Sequence, residues 1–104
     1  YRSPEGEPVG FSVRGHAGAA EYGKDIVCAA VSVLTLNTVN AIEALTDAGF
    51  SVDATEEGSM DFFLKIADDK AALLLEALFL GLSSLEQTYS EFITLKEEVR
   101  KCSS

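Results

Sequence analysis

The sequence predicts an α+β fold, a two-layer sandwich in which two long apolar helices pack on a small, mainly antiparallel sheet. Three observations carry that reading. Residues 8–14, 50–56 and 60–67 alternate apolar and polar side chains with the period of two that marks half-buried strands. Residues 26–48 and 70–88 are apolar runs of helical length. The order is strand, helix, hairpin, helix, with no repeat, low-complexity tract or Pro/Gly/Ser linker, so the 104 residues read as one domain.

Ser3, Pro4, Glu5 and Gly6 form a turn cluster suited to a hairpin tip, which raises the expectation of a strand ahead of residue 1. From Pro8 to Arg14, Val9, Phe11 and Val13 alternate with Gly10, Ser12 and Arg14, and this strand delivers His16 at its end. Residues 15–24 contain Gly15, Gly18 and Gly23 and read as a mobile loop that admits a substrate and closes over it. Asp25 suits an N-cap, its carboxylate accepting from the free N–H groups of a helix that starts at Ile26, runs to Ala48 and is ended by Gly49. Ser32, Asn40, Glu43 and Asp47 give that helix only a narrow polar stripe, so it should be covered on most sides. Phe50 to Glu56 and Met60 to Ala67 form a hairpin around Glu57, Gly58 and Ser59. Asp68 and Asp69 cap a second helix from about Lys70 to Thr88, which also needs cover on more than one side. Tyr89 to Ser104 reads as a short helix or strand with a loose tail.

Charge and cysteine content narrow the function classes. Eight basic against 17 acidic residues give −9, and the few cations form no stripe that could follow phosphates, which argues against direct nucleic-acid binding. An anionic surface attracts basic proteins or peptides, although it also serves plain solubility. A hydrophobic share of 47%, concentrated in two helices on a small sheet, predicts a homodimer. Two cysteines, Cys28 and Cys102, make no disulfide framework, and with no signal-peptide pattern at the start the chain reads as cytoplasmic. The apolar runs look too short or too interrupted for a bilayer span of about 20 residues, so no membrane partner is expected. One His and two Cys fall short of a zinc ligand set, and no P-loop is present, so neither metal nor other cofactor is expected.

The single histidine, His16, precedes Cys28 by twelve positions, with the glycine-rich loop between them. If Asp25 caps the helix, Cys28 is its third residue, where the positive helix end favours a thiolate. An imidazole beside it would take the thiol proton during attack on a peptide carbonyl and return it to the departing amine. The alternative is an inert core cysteine and a surface histidine, and spacing alone does not choose between them.

The local wording does. Gly15-His16-Ala17-Gly18, followed by Gly23-Lys24-Asp25-Ile26-Val27-Cys28-Ala29-Ala30-Val31-Ser32, resembles the ribosomal-processing cysteine protease family, Prp. In that family a Gly-His-Ala element and an Asp-Ile-x-Cys-Ala-Ala-x-Ser element flank a flexible loop, and both stand here without departure. The resemblance implies a homodimeric bacterial peptidase that removes a short N-terminal extension from a basic large-subunit ribosomal protein, cleaving after an aromatic, hydrophobic end. It puts the catalytic pair on His16 and Cys28 and supporting roles on Asp25 and Ser32.

Asp25 has two readings, a helix cap or a partner that orients His16; as a cap, its charge would oppose the thiolate. Ser32, one turn after Cys28, would bond either the histidine or the helix backbone. Against the peptidase stand a non-catalytic dimeric module that binds a basic ribosomal protein or an assembly intermediate, and, more weakly, a thiol redox enzyme lacking a Cys-x-x-Cys pair. Cys102 reads as incidental.

Overall fold

The computed structural model describes residues 1–14, 22–55 and 59–101. Its elements are β1 (Gly10–Val13), α1 (Tyr22–Leu45), β2 (Phe50–Ala54), β3 (Met60–Leu64) and α2 (Asp69–Thr88). The strands form one antiparallel sheet in the order β1-β3-β2. This is the expected small sheet carrying two long apolar helices.

Register divides the sheet into two faces. Phe11 lies opposite Phe62, and Phe62 opposite Val52, while Phe50 lies opposite Leu64. These side chains point toward the helices. Phe11, Phe62 and Leu64 join Val39 and Ile42 of α1 and Ala71, Leu75, Leu78 and Leu82 of α2 in one buried cluster. Phe62 is fully buried, stacked on Phe11 at 5.4 Å and tilted against Phe50 at 5.0 Å. Such a side chain stabilises the fold by roughly 1.5–3 kcal/mol through burial alone. The opposite face carries Ser12, Asp61 and Phe63, the last stacked on Tyr1 at 5.0 Å beneath the Arg100 guanidinium.

The turn expected at residues 3–6 is present. Gly6 N donates to the Ser3 carbonyl at 2.8 Å, with Gly6 in the left-handed region at φ 91°, and Arg2 bridges Pro8 across the tip. Arg2 also pairs with the C-terminal segment: its N–H donates to the Glu98 carbonyl and its carbonyl accepts from Arg100 N. Residues 89–101 therefore form no helix; they return along the N-terminal hairpin through a single bridge at Val99. The Arg2 side chain locks this junction. It makes a two-pronged ion pair to Glu76, a 3.1 Å bond to Glu97, and lies over the Phe79 ring.

Helix boundaries differ from expectation in instructive ways. Asp68 caps α2 as expected, its carboxylate accepting from Ala71 N at 2.8 Å. Asp25 does not cap α1. The helix starts at Tyr22, so Asp25 lies within its first turn. At the other end α1 stops at Leu45, not Ala48, because the Thr46 hydroxyl donates to the Ile42 carbonyl at 2.6 Å and accepts from Ala48 N at 3.1 Å. The strands are also shorter than their alternating patterns, ending at Ala54 and Leu64.

Cover on the helices is likewise less than expected. Ile26, Val33 and Leu36 on α1, and Leu73 and Leu80 on α2, are exposed within the chain. Both helices, contrary to the sequence expectation, also satisfy a bilayer span by length and composition, Asp25–Leu45 at mean hydropathy 1.6 and Asp69–Thr88 at 1.2. In this fold their inner stripes are committed to the sheet and to each other.

Candidate active site

Cys28 is half-buried on α1, one residue past the buried Val27 and one turn before the exposed Ser32. Asp25, Cys28 and Ser32 are spaced i, i+3 and i+7, so they form one stripe along the edge of the core-facing side. The helix brings these three together. Among the described residues the Ser32 hydroxyl bonds no helix carbonyl, unlike those of Thr35 and Thr38, which bond back to Val31 and Leu34 at 2.8 Å each.

The early start of α1 revises the expected electrostatics. With Tyr22 as first residue, Cys28 is the seventh rather than the third, and the dipole's effect falls off within the first turn. The expectation that the helix end favours a thiolate at the third residue therefore does not carry over to this placement. Asp25, inside the first turn, interacts favourably with the positive helix end without capping it. Gly23, expected in the mobile loop, belongs to that same turn. His16, Gly15 and Gly18 lie outside the described residues, as does Cys102.

The strand that leads toward His16 is fixed by a group that periodicity did not reveal. Ser12 Oγ donates to Asp61 Oδ1 at 2.6 Å, and Arg14 reaches Oδ1 and Oδ2 of the same carboxylate at 3.1 and 3.2 Å. The Ser12 and Arg14 bonds hold the Asp61 carboxyl below its ordinary value. Alternation puts Ser12 and Arg14 on one face, but only the β1–β3 register brings Asp61 opposite Ser12.

A cleft of about 740 Å³ lies between β1, α2 and residues 94–98, lined by Phe11, Arg14, Phe79, Leu80, Leu82 and Leu95 among others. Cys28 is not on its wall.

Comparison with known proteins bears on the family of the chain. The family model described as cysteine protease Prp matches residues 1–94. The chain is 35% identical over 94 residues to the ribosomal processing cysteine protease Prp of Staphylococcus aureus, covering 88% of each chain. To the Bacillus subtilis protein of the same name it is 35% identical over 98 residues, covering 86% of each. The S. aureus protease solved with a substrate peptide superposes with a TM-score of 0.85 at 31% identity, and 93% of each chain is covered. A second structure of that protease, with a covalently linked product peptide, gives 0.83 at the same identity and coverage.

Proposed function

The chain belongs to the cysteine protease Prp family, and from that premise we propose that it is an endopeptidase removing the N-terminal extension of a ribosomal protein, with Cys28 as nucleophile and His16 as its general base and acid. The observation that carries the reading is the covalently linked product peptide on the similar S. aureus enzyme, because a cysteine peptidase holds its substrate by a covalent bond during turnover. Residues 1–104 serve as a single peptidase domain.

In the reaction, Cys28 Sγ attacks the carbonyl carbon of the scissile bond while His16 takes the thiol proton. The tetrahedral intermediate collapses as His16 passes that proton to the departing amine, which leaves as the new N-terminus of the mature ribosomal protein. The extension stays on Cys28 as a thioester until water, deprotonated by His16, releases it as a carboxylate. Asp25 and Ser32 support this pair from the same helix stripe.

The working unit is a homodimer. Support comes from the outer stripe of α1, where Ile26, Val33 and Leu36 are 40%, 67% and 50% exposed, with no charged residue between Asp25 and Glu43. The enzyme acts in the cytoplasm on a basic substrate that its −9 charge attracts. It needs no cofactor, membrane or nucleic acid. Mass spectrometry of a precursor peptide after incubation with this protein and with Cys28→Ala tests the reading. Cleavage by the first alone is expected; equal cleavage by both would remove Cys28 from the chemistry.

A further inference from the structure

We infer that the open edge of β2 is an exosite, a place outside the catalytic centre where a cationic, extended segment of the substrate pairs as an added strand. The inference rests on the peptidase reading given above and names a second contact for the same substrate. β2 is an outer strand of the sheet, bonded on one side to β3. The Gly49 carbonyl accepts from Lys65 N and Thr55 N donates to the Ser59 carbonyl, each at 2.9 Å, so residues 49, 51, 53 and 55 turn their backbone groups toward β3. Phe50, Val52 and Ala54 therefore turn theirs outward, where no backbone partner meets them among the described residues. The strand reads Phe-Ser-Val-Asp-Ala and keeps its register without a bulge. It lacks the lysine or proline that commonly blunts such an edge.

Two side chains define what fits there. Val52 lies on the core-bearing face of the sheet, opposite the fully buried Phe62, yet is 44% exposed. The core is thus left open at β2, and an apolar side chain on an added strand would close it. Asp53, on the other face, stands opposite Asp61, a like-charge placement that costs stability by itself. Arg14 pairs with Asp61, whereas no cation pairs with Asp53 among the described residues. In a strand whose backbone bonds to Val52, the residue beside Asp53 belongs to a close, non-hydrogen-bonded pair, which suits Lys or Arg. The occupant so defined alternates an apolar with a cationic side chain. A second copy of β2 fits less well, since Asp53 is its one charge and each chain carries −9.

The test compares a full-length precursor with a short peptide that spans only the scissile bond. Val52→Pro removes one outward N–H and leaves the ladder to β3 intact, because an edge strand tolerates proline there. Asp53→Lys reverses the charge and relieves the repulsion with Asp61, so it should fold at least as well as wild type. Each should raise KM for the precursor about fivefold, the worth of one hydrogen bond of ordinary net strength, with kcat unchanged. Cleavage of the short peptide should not change. The Asp53→Lys deficit should shrink with added salt. An unchanged KM in Asp53→Lys, or an equal loss on both substrates, overturns the inference. So does a wild-type dimer that Val52→Pro converts to a monomer, which would give the edge to a second copy. A wild type that cleaves neither substrate would instead strike at the peptidase reading.

Discussion

The Phe62 carbonyl oxygen occupies the space that a side chain on Gly10 would need, and the Phe63 Cα lies 3.2 Å from the same point. Close approach of backbone to backbone, not a special φ, is what demands glycine there. Gly10→Ala must push β1 from β3 beside the fully buried Phe62. It should destabilise by about 1–3 kcal/mol, read as a lower urea midpoint with an unchanged slope. An unshifted midpoint would mean that the strands separate without cost.

Arg2 holds the Glu76 carboxyl below its ordinary value, chiefly through their two 2.8 Å hydrogen bonds. A carboxyl depressed in the folded state adds stability above its unfolded pKa of about 4.3 and loses it as pH falls through the lower folded value. Both groups are partly exposed, at 24% and 41%, so the two-pronged pair contributes about 1 kcal/mol at most. Glu76→Gln should lower the urea midpoint at pH 7, and the gap to wild type should narrow from about pH 5 downward. A gap that persists at pH 3 would assign the loss to packing.

The reactivity of Cys28 should depend on His16. Alkylation of wild type by iodoacetamide is expected to proceed well below pH 8, and His16→Ala should shift its midpoint toward the ordinary thiol value near 8.5. Cleavage should be abolished in both Cys28→Ala and His16→Ala and retained in Cys102→Ser. Rapid alkylation that survives loss of His16 would mean the helix alone activates the thiol.

Val33→Glu and Leu36→Glu place charge on the outer stripe of α1 without touching the core. Light scattering should show a dimer for wild type and a monomer for each variant, with secondary structure by circular dichroism preserved. A monomeric wild type at micromolar concentration would contradict the proposed interface.

Local chemistry made much of this molecule legible. Asp68 was readable as a cap because the bond to Ala71 N depends on three consecutive residues and nothing else. Asp25 misled because an acidic side chain is as welcome in a first turn as at a cap, so the same residue fits a helix begun at Tyr22 or at Ile26. Thr46 ended α1 early through a bond that an apolar pattern does not encode. For the site, Asp25 joins the stripe only because the helix begins at Tyr22, whereas Ser32 one turn after Cys28 follows from helical spacing and was visible at once. Asp61 was not, since its partners Ser12 and Arg14 stand 49 and 47 positions away and meet it only through strand register.

The Arg2 junction bears on how the protein is made. Its partners Glu76 and Glu97 follow it by 74 and 95 residues. At synthesis rates of roughly 5–20 residues per second, Arg2 waits several seconds for the first and longer for the second. Contacts of such separation also close late, because the chain between them must lose its freedom first. The hairpin from which β1 continues can therefore dock on the C-terminal segment only after residues 98–100 have left the ribosome. Final closure of this end of the domain waits on its C-terminal segment.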